Sequence, residues 1–332
     1  MPSTELVVLI IIVALGLGFD FINGFHDTAN AIATSVATRV LSPGQAVLMA
    51  AILNVVGALT GTAVAETVGA GIIPTELATM QLVGAALLSA IAWNLITWWG
   101  GIPSSSSHAL IGGLIGAGVA KAGGVAVVWA GVLKTGSAIV LSPMTGFVLA
   151  LVLVLLTSWM FVRVAPRTVD GTFRRLQFLS ASLYSLGHGG NDAQKTMGII
   201  AVLLFSQGHL GSEFYVPFWV VITCQAAMGL GTLFGGWRIV KTMGSKITRL
   251  TPMQGFCAET AGAMTLFGAT YLGVPVSTTH TITGSIIGVG AARKVSAVRW
   301  NVATSIVMAW VITLPATALI GATFYWLSGL AP

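Results

Sequence analysis

Residues 101–120 read GIPSSSSHALIGGLIGAGVA, and residues 273–292 read GVPVSTTHTITGSIIGVGAA. Sliding the chain by 172 residues lays one stretch on the other. Pro103 then falls on Pro275, Ser105 on Ser277 and His108 on His280, and the glycines at 112, 116 and 118 fall on those at 284, 288 and 290. Two apolar runs alike only by chance would not also align their breakers and polar residues. The same shift lays Pro143 on Pro315, so the chain reads as an internal duplication.

The surrounding composition sets the solvent. Hydrophobic residues make up 55% of the 332 and charged residues only 7%, which points to an all-α polytopic membrane protein. Runs such as ELVVLIIIVALGLGF (5–19) and MTGFVLALVLVLLTSWMFV (144–162) supply spanning material, given that a crossing helix needs roughly 20 apolar residues. Glu5 stands where a secretory leader would carry positive charge, so residues 2–19 are expected to stay in the mature protein. Cys224 and Cys257 both lie in apolar stretches and are expected to be packing residues. The net charge of +6 is spread over loops, which speaks against a nucleic-acid partner and for orientation in a membrane. No GxxxxGK[ST] loop, nucleophile elbow or HExxH motif occurs, and the chain is not expected to be an enzyme.

Charge placement suggests how the copies face. Arg39 follows the first apolar segment of one copy, whereas the corresponding loop of the other carries Glu213; the next loops reverse the pattern, with Glu66 and Glu76 against Lys241, Lys246 and Arg249. Copies that each cross an odd number of times would do this. The expected organisation is a first transmembrane repeat over 1–162, a cytoplasmic basic linker RVAPRTVDGTFRR over 163–175, and a second, inverted repeat over 176–332. Both termini are then expected outside the cell membrane. About ten crossings are anticipated, with broken or re-entrant helices: residues 103–120 either span or turn back, and 125–162 are long enough for a pair broken near Ser142 and Pro143.

The polar residues concentrate in two kinds of cluster. NGFHDTANA (23–31) has its counterpart in YSLGHGGNDAQKTMGII (184–200), with Asp27 on Asp192 and Asn30 on Lys195. Each apolar run is expected to stop in a Gly/Asn/His break and restart with an acid near a helix start, where the dipole favours a carboxylate. Such an acid either caps a broken helix or lines an ion pathway, and buried ionisable groups in a membrane favour the second reading. Asp27, Asn30 and Asp192 offer hard oxygens to a small cation or a place for a proton, and Glu259 in QGFCAETAGA (254–263) is a further intramembrane acid. Asn191 adds an amide, and Lys195 neutralises an aspartate or touches an anion. Ser104, Ser105, Ser106 and Ser107, with Ser277, Thr278 and Thr279, each follow a proline and are expected at helix N-caps and first turns, a setting suited to an oxyanion. His26, His108, His188 and His280 are candidates for proton transfer, gating or bracing. His26 and His188 do not align, so a symmetric histidine metal site is not expected, and the metal assignment stays open.

These stretches resemble the inorganic phosphate transporter (PiT) family. The likeness rests on NGFHDTANAIAT (23–34), WNLITWWGGIPSSSSHALIG (93–112), GHGGNDAQK (187–195), GVPVSTTH (273–280) and SIVMAWVITLPA (305–316), and it runs over nearly the whole chain. It is closest to the bacterial low-affinity branch, which implies proton-coupled phosphate symport, with phosphate carried free or as a neutral divalent-metal complex. Sodium coupling, sulfate transport and a passive anion channel are the alternatives. The resemblance places the substrate and ion site on Asp27, Asn30, Asn191, Asp192 and the hydroxyls at 104–107 and 277–279. It implies two re-entrant hairpins, a homo-oligomer in contact with membrane lipid, external termini and no cofactor beyond the coupling ion. Gly190 stands where the family commonly has a small side chain, and Gln194 and Lys195 stand where a second asparagine-containing copy is frequent; that form accompanies the proton-coupled branch.

Overall fold

The computed structural model describes residues 4–329, and the remaining residues at either terminus lie outside it. The first half comprises α1 (Thr4–Ala37), α2 (Pro43–Val56), α3 (Ala63–Gly71), α4 (Met80–Gly100), α5 (Ser106–Ala122) and α6 (Trp129–Met160). The second comprises α7 (Pro166–Ser206), α8 (Phe218–Phe234), α9 (Trp237–Lys241), α10 (Pro252–Tyr271), α11 (Thr278–Arg293) and α12 (Trp300–Ser328). The basic segment at 163–175 therefore runs into the first turns of α7.

Local signals fix several helix ends. Ser42-Pro43 and Thr251-Pro252 open α2 and α10 with capping boxes closed by Gln45 and Gln254, and proline sits in the first turn, where its missing N–H costs nothing. Gly101 and its repeat mate Gly273 adopt φ of +63° and +61°, a left-handed conformation that ends the preceding helix. Pro103 and Pro275 then keep the chain extended until Ser105 and Ser277 cap α5 and α11, each accepting from the backbone N–H three residues on.

The two halves exchange partners. α1 packs on α8 and α7 on α2; α5 packs on α12 and α11 on α6. These pairs are mates under the duplication, so the architecture has the paired, symmetric contacts of an inverted repeat. Glycine makes the close approach feasible. A methyl group on Gly112 would strike the Thr317 hydroxyl and one on Gly116 the Ala318 carbonyl, while methyls on Gly284 and Gly288 would strike the carbonyls of Pro143 and Phe147.

Hydrogen bonds between elements show which helix ends lie together. Lys121 at the end of α5 donates to the Leu77 carbonyl just before α4 (2.9 Å), and Gln254 at the start of α10 donates to Val289 near the end of α11 (3.3 Å). Each of these helix pairs therefore starts and ends at one end of the molecule, as a helical hairpin. Arg174 reaches the Arg39 carbonyl (3.1 Å) and Arg299 the Ser245 carbonyl (3.1 Å), gathering the basic loops at one end. Gln81 bonds Ser328 (3.1 Å) and Ser206 bonds the Ala78 carbonyl (2.8 Å), which places the end of α12 with the acidic loop at Glu76.

Two expectations are corrected. Among the described residues, six helices are long and apolar enough to cross a membrane (α1, α2 with its following turn, α4, α5 with its following turn, α6 and α12), or seven if α8 and the 64° bend into Trp237–Lys246 count as one, and not ten. The shortfall falls on α7, whose charged start and site residues dilute its hydropathy, on α10, which carries Gln254 and Glu259, and on α11, which is only 16 residues long. The other correction concerns the breaks. α1 is helical straight through 23–31, α7 through 187–195 and α6 through Pro143. In α1 and α7 the glycines serve contact instead of rupture. A methyl on Gly24 would meet the Met228 carbonyl, on Gly189 the backbone of Asn54, and on Gly190 the Thr60 hydroxyl. Among the described residues the breaks lie instead at the two hairpin tips and at the bend between α8 and α9.

Apolar packing separates into two buried clusters. One includes Leu9, Phe19, Leu87, Leu110, Met197 and Ile200; the other includes Ile32, Tyr184, Cys257, Ile282 and Ile286. α1 and α7 run through both, and their polar stretches lie between them. Cys224 and Cys257 are buried free thiols.

Candidate anion and cation site

Both hairpin tips point into the layer between the two apolar clusters. Ser106, in the first turn of α5, donates to Asp27 Oδ2 at 2.8 Å; its mate Thr278, in the first turn of α11, donates to Asp192 Oδ2 at 2.8 Å. A second pair of contacts crosses between halves. Asn30 Nδ2 on α1 donates to Thr279 Oγ1 (2.9 Å) and Thr278 Oγ1 (3.2 Å), while Lys195 Nζ on α7 donates to Ser107 Oγ (2.6 Å). Ser107 and Thr279 are themselves repeat mates, so the two half-sites share these two contacts. One difference concerns charge: an amide, Asn30, stands in the first half where the second has the Lys195 ammonium.

The carboxylates are held on their other sides as well. His26 Nδ1 lies 2.6 Å from Asp27 Oδ1, and its Nε2 lies 3.0 Å from Thr97 Oγ1, which also accepts from Ser104 Oγ at 2.9 Å. Asp192 pairs with Lys195 through Oδ1 (2.5 Å) and has His188 Nε2 at 3.2 Å from Oδ2. His188 Nδ1 meets Asn54 Oδ1 at 3.2 Å, and Asn54 donates on to Thr232 (2.9 Å). Tyr184 OH fixes the α11 tip through the Thr278 carbonyl (3.0 Å).

Asp27, His188 and Asp192 each offer a ligand atom, all within 4.8 Å of one another. That set is able to hold a metal ion. Two carboxylates at this range repel by on the order of 3 kcal/mol at an effective dielectric of 20, so positive charge beside them is strongly favoured. The helix N-termini contribute a different affinity. The opening N–H groups of α5 and α11 have no partner inside their helices, and together with the Ser107 and Thr279 hydroxyls, which accept from Lys195 and Asn30, they suit a tetrahedral oxyanion. Every site side chain is buried, the least so being Ser107 at 6% exposure, so the conformation is closed to water.

Of the residues singled out in the sequence, Asp27, Asn30, Asp192, Lys195, Ser104, Ser106, Ser107, Thr278, Thr279, His26 and His188 come together here. Ser105 and Ser277 are occupied as N-caps. Asn191 turns aside, its amide donating to Thr270 (3.0 Å). His108 and His280 meet edge to face at 4.5 Å between centroids, with Trp310 stacked on His280 at 3.8 Å. Glu259 sits apart, one turn of α1 beyond Asn30, and accepts from Thr34 (2.6 Å), Ser180 (2.5 Å) and Gln177 (3.1 Å).

Sequence reasoning missed Thr97, Asn54 and Tyr184, which sit inside otherwise ordinary helices. It also passed over Asp20, whose Oδ1 accepts from Thr196 at 2.6 Å. An acid in the run GLGFDFING was the available signal.

Residues 23–321 match the phosphate transporter family (PHO4) model. The chain is 70% identical over 323 residues to a probable low-affinity inorganic phosphate transporter of Rhizobium meliloti (strain 1021), with 97% of both chains covered. It is 49% identical over 324 residues to a protein of the same description from Bacillus subtilis (strain 168), again covering 97% of each. A solved structure described as "the sodium-dependent phosphate transporter" superposes with a TM-score of 0.89 at 28% identity, covering 98% of this chain and 100% of that one. The fold, the duplicated site and these likenesses agree, and the chain belongs to the phosphate transporter family, a family of carriers and not of enzymes.

Proposed function

We propose that the chain moves inorganic phosphate across the membrane together with a cation, sodium being the coupling ion best supported. The observation that carries this reading is the meeting of two opposed helix N-termini with two buried aspartates in one closed layer. The anion is bound by the Ser106–Ser107 and Thr278–Thr279 tips, and the cation lies at the Asp27 and Asn30 oxygens. Neither ion would be stable there alone. Co-binding offsets the charge of each, and movement of one repeat against the other opens the layer to alternate faces. Likeness to a sodium-dependent relative favours sodium over protons.

Proton coupling is the second reading, supported by the short His26–Asp27 contact, an acid–base pair suited to holding a proton. The Asp27, His188 and Asp192 cluster also suits cargo arriving as a divalent-metal phosphate. The positive-inside rule favours placing the end with Arg39, Arg174, Lys246 and Arg299 in the cytoplasm, and the ends of α1 and α12 near Glu5 and Ser328 outside.

Uptake of labelled phosphate or sulfate into reconstituted liposomes tests the choice among these couplings. Sodium and proton gradients are imposed separately, with magnesium present or absent. Phosphate accumulation driven by sodium is expected; accumulation driven by protons alone selects the second reading, and none under either gradient defeats both.

A further inference from the structure

We propose that the Lys195 ammonium is a built-in cation. In the second half-site it takes the role that a mobile coupling cation plays in the first, so transport needs one mobile cation fewer than a fully symmetric site would. The inference rests on the phosphate-and-cation reading of this site.

The two contacts that repeat between the half-sites are the ground for it. Asp27 with Ser106 repeats as Asp192 with Thr278, and Asn30 reaching Thr279 repeats as Lys195 reaching Ser107. An ammonium has three donors. All three are spent on protein oxygens: Asp192 Oδ1, Ser107 Oγ (2.6 Å) and the Val276 carbonyl (2.7 Å). Three oxygens gathered around one positive centre, with 3% of the residue exposed, form a cation cage rather than an anion-binding arm. The donors a phosphate oxygen would need from this lysine are already taken.

Charge counting gives the consequence. Asp27, Asp192 and Lys195 together leave one negative charge before any anion enters, whereas a neutral side chain at 195 would leave two. The second case needs another positive charge to bind the same anion. Asn30 shows what such a neutral side chain looks like in this framework.

The test compares wild type with Lys195→Asn, Lys195→Gln and Lys195→Arg in proteoliposomes, measuring net charge moved per labelled phosphate. The two neutral variants are expected to move one more mobile cation per phosphate, and the arginine variant to keep the wild-type ratio. Thermal unfolding of the purified proteins in detergent, in sodium chloride against choline chloride, reads the same point without transport. The neutral variants should gain a sodium-specific rise in Tm larger than that of wild type. An unchanged ratio with a raised KM for phosphate, or a sodium response equal to that of wild type, overturns the proposal. Absence of phosphate uptake by the wild type would instead remove the functional reading, and the thermal comparison would still decide the lysine.

Discussion

The hydroxyl of Ser106 donates to Asp27 across 2.8 Å, tying the tip of α5 to the middle of α1. Its mate does the same for α11 and α7 through Thr278 and Asp192. The hairpin tips and the acidic helices are therefore coupled before any ion arrives, and charge removal at either acid should be felt at the anion site.

Asp27→Asn and Asp192→Asn keep an oxygen for the hydroxyl but remove the charge. Each is expected to lower gradient-driven phosphate uptake at least about tenfold, since hydrogen bonds to charged groups are worth about 1.5–3 kcal/mol. Near-normal rates in both would exclude these acids from the coupled step.

Ser106→Ala and Thr278→Ala remove one clasp each while leaving both N-caps in place. A rise in KM for phosphate of about tenfold is expected from each. Ser105→Ala should behave differently, costing about 1 kcal/mol of stability as a lost cap with a smaller effect on KM. Equal KM effects from Ser105 and Ser106 would show that the two hydroxyls have no separate roles.

Gly116→Ala and Gly288→Ala place a methyl against the carbonyls of Ala318 and Phe147, across the exchanged pairs α5–α12 and α11–α6. Backbone has little room to yield there, so destabilisation beyond the roughly 1–3 kcal/mol typical of overpacking is expected. Gly136→Ala meets nothing within 4 Å and should be neutral or stabilise by about 0.5–1 kcal/mol. Thermal unfolding in detergent separates the cases, and a benign Gly116→Ala would contradict the packing described for α5.

Glu259→Ala strands the donors of Thr34, Ser180 and Gln177 in a dry interior. A loss of about 3 kcal/mol is expected, with Glu259→Gln milder because its amide oxygen still accepts. If the alanine variant unfolds at the wild-type temperature, the cluster is not the structural brace its geometry describes.

Single cysteines at Arg39 and Lys246 should react with an impermeant thiol reagent from one side of the membrane, and cysteines at Glu76 and Glu213 from the other. Opposite labelling of the Arg39 and Lys246 sites would contradict the inverted arrangement.

Much of this was legible in the chain because breakers and caps act locally. Gly101, Pro103 and Ser105, repeated as Gly273, Pro275 and Ser277, define the hairpin tips with no help from tertiary structure. The stretches 23–31 and 187–195 misled for a physical reason: glycine weakens an isolated helix, yet inside a protein it is also what lets another backbone come close. Gly24 and Gly189 are of the second kind, and only the presence of Met228 and Asn54 opposite them reveals it. Thr97, Asn54 and Tyr184 were invisible for a related reason. Their importance depends on which helix face turns toward α1, α7 or the α11 tip, and hydropathy does not specify that. The crossing count suffered in part from the site itself, since α7 gives up apolar residues to hold it.

The partner exchange between halves bears on how the molecule is made. A ribosome that has released α1, α5 and α6 into the bilayer has not yet synthesised α8, α12 or α11, on which those helices rest. Early segments must wait in lipid with their small-residue faces uncovered, and assembly completes only when the last helix emerges. A chain ending before α12 would leave α5 without the helix it packs on.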